Sequence, residues 1–152
     1  MIYRIIIFLV INFAALAIGG LFTGKGVPSD WYLQLDKAPW TPPGWVFGAA
    51  WTSIMIFFAL FMAWLWPLVD NKPLLLTLFI LQLFLNIGWN PAFFYFHQVT
   101  LGLIIISGLT ILIGYLFFNY LPVLKVKSIL ILPYLIWLMI ATSLNAYILI
   151  KN

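Results

Sequence analysis

The chain has no cysteine, only three acidic residues, all Asp, and a single His. The first absence excludes disulfides, iron–sulfur clusters and cysteine nucleophiles, and it leaves the redox compartment open. With one His and no Cys there is no ligand set for structural zinc, and no metal site is expected. Charge is equally sparse. Charged residues make up 7% of the 152, and the seven Lys and Arg are scattered over connections instead of forming a stripe. A nucleic-acid interface needs such a stripe, so no nucleic-acid partner is expected.

What remains is hydrophobic. Apolar residues make up 66% of the chain and mean hydropathy is +1.16, the composition of a membrane protein whose solvent is the lipid bilayer. Five runs, 5–22, 45–66, 74–96, 101–121 and 129–150, can each cross about 30 Å of hydrocarbon. The expected fold is therefore an all-α five-transmembrane-helix bundle, with residues 1–152 as one domain. The first run also fits a cleavable signal peptide, with Arg4, an apolar core and Ala15-Leu16-Ala17. Against that reading, Asn12, Ala15 and Gly19 share one helix face, as a retained, packed helix requires. Short connections at 67–72, 97–100 and 122–128 imply up-and-down neighbours. Arg4, Lys72, Lys125 and Lys127 then face one side and Lys25, Lys37 and Lys151 the other, a small bias for the N-terminus inside. Small-xxx-small pairs at Ala15/Gly19, Gly20/Gly24, Gly44/Gly48 and Ala59/Ala63 are expected to let helices approach closely.

The one long connection, 23–44, is built like a lid. Pro28 and Ser29 can start and cap a short helix over Asp30 to Asp36, and Pro39, Pro42 and Pro43 stiffen the return. No carboxylate or cation lies at mid-depth in any run, so ion-coupled pumping lacks its usual machinery. The polar groups within the runs are neutral. Gln82, Asn86 and Asn90 recur every four residues and share a face, as interhelical hydrogen bonding or a lined cavity would require. Tyr134, Trp137, Ala141, Leu144 and Asn145 form another stripe, readable as packing or as a pocket wall. Counting from the face that carries the long loop, Trp51, Trp89, Asn90, Ala141, Asn145 and the Asn12–Gly19 stripe lie within about 15 Å of it. A Trp-lined cavity under Trp31 and Tyr32, holding a large, flat, mostly apolar ligand, follows from that convergence. In the other half, Trp64 and Trp66 read as an interfacial belt. His97 sits in a turn and fits either an interfacial position or haem ligation. Leu144, Tyr147 and Lys151 match a sterol-contact pattern that many helix ends share.

Three blocks carry a family resemblance across nearly the whole chain. They are Trp31-Tyr32 with Lys37 and WTPPGWVFG (40–48) closing at Trp51; QLFLNIGWNP (82–91) followed by Phe93 and Phe94; and PYLIW (133–137) followed by Ala141, Thr142, Leu144 and Asn145. The chain resembles the translocator protein family, also called tryptophan-rich sensory proteins or peripheral-type benzodiazepine receptors. It departs from the family pattern at Ala38, Ala49 and Met55, where Pro, Pro and Tyr are usual.

The resemblance implies a five-helix protein of bacterial type in the cell membrane, often a homodimer. It also implies binding of porphyrins such as protoporphyrin IX and of isoquinoline and benzodiazepine drugs, with porphyrin as ligand or substrate and no required cofactor. Carried over by position, the pocket residues are Tyr32, Trp51, Asn86, Asn90, Trp137, Ala141 and Leu144, to which the depth count adds Trp31 and Trp89. Light- and oxygen-dependent porphyrin breakdown is a further implied activity, for which Trp51 and Trp137 are the residues that could relay an oxidant. The alternative is transport of porphyrin or sterol across the membrane.

Overall fold

In lipid an apolar run has to satisfy its own backbone, and a helix does so within one segment. The computed structural model, which describes residues 1–152, contains five long helices and one short one: α1 (Ile2–Gly26), α2 (Asp30–Gln34), α3 (Gly44–Leu65), α4 (Lys72–Asn90), α5 (Val99–Leu124) and α6 (Leu132–Lys151). Four stretches are long and apolar enough to cross a membrane: Ile2–Gly26, Gly44–Leu68, Lys72–Tyr95 and Val99–Lys151. The five separate runs expected from the sequence appear as four because helical backbone continues from Val99 to Lys151. The expected loop at 122–128 is instead a tight 3₁₀ segment, Lys125–Ile131, entered through Lys125 at φ 52°. The chain turns back there, and α5 packs along α6.

Helix ends run past the hydrophobic boundaries. α1 continues to Gly26, so the long connection shortens to residues 27–43. Within it, Ser29 caps α2 as its type suggests, accepting from the Tyr32 backbone N–H at 3.3 Å. Lys37 closes the other end. Its Nζ donates to the carbonyls of Tyr32 (2.8 Å), Leu33 and Leu35 (both 3.2 Å), groups that a helix C-terminus leaves unpaired. The connection is also tied to α6: Trp40 Nε1 donates to Ser143 Oγ at 3.1 Å, and the Asn152 side chain exchanges hydrogen bonds with the Asp36 backbone. A five-residue helix would be marginal alone, and these ties hold it in place.

The tightest packing lies away from that connection. Phe58, Phe61, Met62 and Leu65 of α3, Leu75 of α4, Ile113 and Leu116 of α5 and Leu138 of α6 have no exposed surface. Ala59 and Ala63 are equally buried, in keeping with small residues at a packed helix face. Gly20, Gly24 and Gly48 sit differently, whereas a Cβ at Gly44 would touch Val27 at 3.5 Å. A Cβ added at Gly20, Gly24 or Gly48 would meet no heavy atom within 4 Å, so these glycines border open space instead of a helix contact.

Candidate functional site

The open space is a cavity of about 350 Å³ between the C-terminal half of α1, the N-terminal half of α3 and the end of α4. Its walls include Ala15 and Gly19 of α1, Phe47 and Trp51 of α3, and Asn86 and Asn90 of α4, while Gly20, Gly24, Gly44 and Gly48 edge it. Trp51 is buried, its ring set edge-on to Tyr134 with centroids 5.9 Å apart. The size falls at the lower end of the range for small-molecule pockets, and the mixture of apolar walls and a few amides is typical of them.

The three amides of α4 have different duties. Gln82 accepts the Tyr134 hydroxyl at 2.8 Å in the buried middle of the bundle. Asn90 is satisfied at both ends of its amide: Nδ2 donates to the Asn86 carbonyl at 3.0 Å, and Oδ1 accepts from the Thr23 hydroxyl of α1. Gly19 lies under it so closely that a Cβ would sit 2.8 Å from Asn90 Nδ2. Asn86 contributes only its backbone carbonyl to these bonds; the residue lines the cavity, is 93% buried, and its side-chain amide makes no hydrogen bond within the protein. Interhelical pairing therefore accounts for Asn90 and for the carbonyl of Gln82, while the side-chain amide of Asn86 and Nε2 of Gln82 have no partner in the protein.

Tyr32, Trp89, Ala141 and Leu144 do not reach this cavity. They surround a separate void of about 20 Å³ together with Asn145, room for about one water. Phe47 touches both spaces and divides them. Trp137 lies behind it, edge-on to Phe47 at 5.5 Å, and opens onto an outer groove between α3 and α6. Trp51 and Trp137 are therefore not two walls of one space. Trp31 lies outside as well, stacked on His97 with centroids 4.1 Å apart and planes 13° from parallel. That contact gives His97, at φ 54°, a packing role that its place in a turn did not reveal. Tyr147 is covered edge-on by Trp40 at 5.5 Å, with Lys151 exposed beyond it and Leu144 buried, so the sterol pattern does not form one open surface.

Several buried polar atoms around the small void have no partner: Trp89 Nε1, both amide atoms of Asn145 and, nearby, Trp137 Nε1. Each costs on the order of 1–3 kcal/mol if left unpaired, and Arg4, Asn12, Gln82 and Ser128 carry further such atoms elsewhere in the bundle. Burial also pushes the Tyr32 phenol above its ordinary pKa, which keeps it a protonated donor. Phe47 escaped sequence reasoning although it stands one helical turn before Trp51, and that spacing was the available signal. Phe93 and Phe94 are turned inward by a widened π turn at Pro91–Tyr95, which no propensity foretells.

Long apolar helices around an aromatic and amide-lined cavity in one half define an all-α protein of the membrane. The family follows from comparison: residues 7–150 match the TspO/MBR family, and the chain belongs to it. It is 36% identical over 147 residues to the tryptophan-rich protein TspO of Archaeoglobus fulgidus, covering 91% of this chain and 92% of that one. The tryptophan-rich sensory protein of Cereibacter sphaeroides is 30% identical over 118 residues (78% and 74%), and the human translocator protein 30% over 137 residues (83% and 79%). Family and helices together make it an integral membrane protein.

Proposed function

We propose that this protein is a membrane receptor or sensor for a flat, largely apolar ligand of the tetrapyrrole class, able to accept isoquinoline- or benzodiazepine-type molecules in the same place. It is a single five-span bundle with its N-terminus inside, in a cell membrane of bacterial type. One observation carries the reading: Asn86, 93% buried and with a side-chain amide that no protein group pairs, lines a cavity of about 350 Å³ that Trp51 also walls. Indole stacking supplies affinity and the amide orients a polar edge.

The larger cavity alone is small for a macrocycle. Displacement of Phe47 would join it to the void beneath Tyr32, bringing Trp89, Asn145, Ala141 and Leu144 to the ligand and giving the orphaned polar atoms a partner. The α2 segment, held by Ser29, Lys37 and Asn152, serves as the roof. Transport is the weaker reading, because the opposite half is filled by fully buried Phe58, Phe61, Met62 and Leu65.

The test is titration of the protein in lipid nanodiscs with protoporphyrin IX, following Trp emission. Saturable quenching is expected, weakened at least tenfold in Trp51→Phe. Linear, non-saturating quenching that is unchanged in that variant would refute the reading.

A further inference from the structure

A second groove lies at the opposite end of the molecule, between the starts of α1 and α4. Its volume is about 240 Å³, and Ile7, Ile11, Phe8, Leu76 and Phe79 line it beside Trp66. Phe8 forms the floor, edge-on to Phe79 at 5.1 Å and tilted against Trp66 at 6.1 Å. Ile7 and Leu76 on its rim are 55% and 44% exposed, so the groove faces the surrounding lipid.

Arg4 stands at its head. Arg4, Ile7, Phe8 and Ile11 recur at i, i+3, i+4 and i+7, so one helix face carries a cation and then about 10 Å of apolar surface below it. Arg4 Nε is buried and has no hydrogen-bond partner in the protein. A guanidinium presents a planar fork suited to phosphate, and an unmet donor at its base asks for an acceptor. The field at this end favours an anion. Lys72 lies in the first turn of α4, and Lys127 rests on the Trp64 ring at 3.5 Å, with Lys125 close by in sequence; Asp70 is the only carboxylate there. Cationic pockets between membrane helices take lipid headgroups.

We propose that this groove holds an anionic phospholipid, its phosphate on the Arg4 guanidinium and one acyl chain along Ile7, Ile11 and Leu76. This site is separate from the cavity at Trp51 and does not depend on what that cavity binds. A free phosphate would make no use of the apolar channel below Arg4, which is why a lipid is the occupant.

The experiment uses phosphatidylcholine nanodiscs containing a small fraction of phosphatidylglycerol brominated on its acyl chains, with brominated phosphatidylcholine at the same fraction as the comparison. Bromine quenches a neighbouring indole, and Trp66 lines the groove. In the parent protein the anionic lipid is expected to show about fivefold stronger apparent association. Arg4→Gln should bring the two lipids level, Trp66→Phe should remove the excess quenching, and Leu76→Phe should displace the lipid by filling the groove with Arg4 intact. Equal quenching by both lipids in the parent, an excess that survives Arg4→Gln, or its abolition by excess inorganic phosphate would each overturn the proposal.

Discussion

The two halves of the bundle are made from the same long helices yet are packed to different standards. Beyond the Gln82–Tyr134 hydrogen bond, away from the long connection, side chains such as Phe58, Phe61 and Met62 are fully enclosed and the Gln82 carbonyl is paired, with Gln82 Nε2 alone of that pair left without a partner. On the side of α2 the helices part at exposed glycines, a cavity of about 350 Å³ opens, and polar atoms of Trp89, Trp137 and Asn145 stay unpaired. Dense packing stores stability and open packing forgoes it, so one half holds the fold while the other leaves space, which under the proposed function is the ligand's. Substitutions in the two halves should therefore separate stability from binding.

The largest effect is expected from Phe58→Ala, which removes a ring enclosed by Phe61, Phe79 and Tyr134. It should destabilise the protein by about 3–5 kcal/mol. Thermal unfolding followed by size-exclusion fluorescence would show a lowered midpoint, while porphyrin affinity of the folded fraction stays at the parent value. Next comes Gln82→Leu, which strands the Tyr134 hydroxyl in the core at a cost of about 1–3 kcal/mol, again without loss of affinity. A change in affinity as large as the change in stability would dissolve the distinction between the halves. His97→Ala, which removes the platform under Trp31, should cost about 0.5–1.5 kcal/mol. Hydrogen exchange should report it as faster exchange confined to the α2 amides; uniform acceleration along the chain would mean that the stack supports the whole bundle.

The smallest effect sharpens the contrast from the other side. Gly48→Ala meets no atom and removes a flexible residue from a helix, so stability should rise by about 0.5–1 kcal/mol and the melting midpoint slightly with it. A loss of stability would show that the glycine edge packs against something after all.

The dense half was legible from the sequence to the extent that packing follows periodicity. The apolar runs located the long helices, and Ala59 and Ala63 marked a face that the structure buries completely. Depth counting also brought Trp51, Asn90, Ala15 and Gly19 to one region, because rise per residue is nearly constant in a helix, and the stripe through Asn90 added Asn86. It could not divide that region. Which side of Phe47 a residue faces depends on a rotation of several tens of degrees about the helix axis, and a single ring then decides between cavity and void. Trp137 went behind Phe47 for that reason, and Trp31 left the site because His97 offered it a parallel stacking surface. Glycine spacing misled in a different way. Gly20/Gly24 and Gly44/Gly48 have the pattern of a helix contact, and the same absence of side chains serves equally well to leave a gap.

The central claim is that Asn86 is spared from structural hydrogen bonding so that its amide can meet a ligand. Its most direct test is a protoporphyrin IX titration of Asn86→Leu beside the parent in the same nanodiscs, with melting midpoints measured on both. The account predicts affinity at least tenfold weaker, about 1.4 kcal/mol or more, with the midpoint unchanged because no side-chain bond is lost. Equal affinities, or a midpoint that falls in step with affinity, would contradict it.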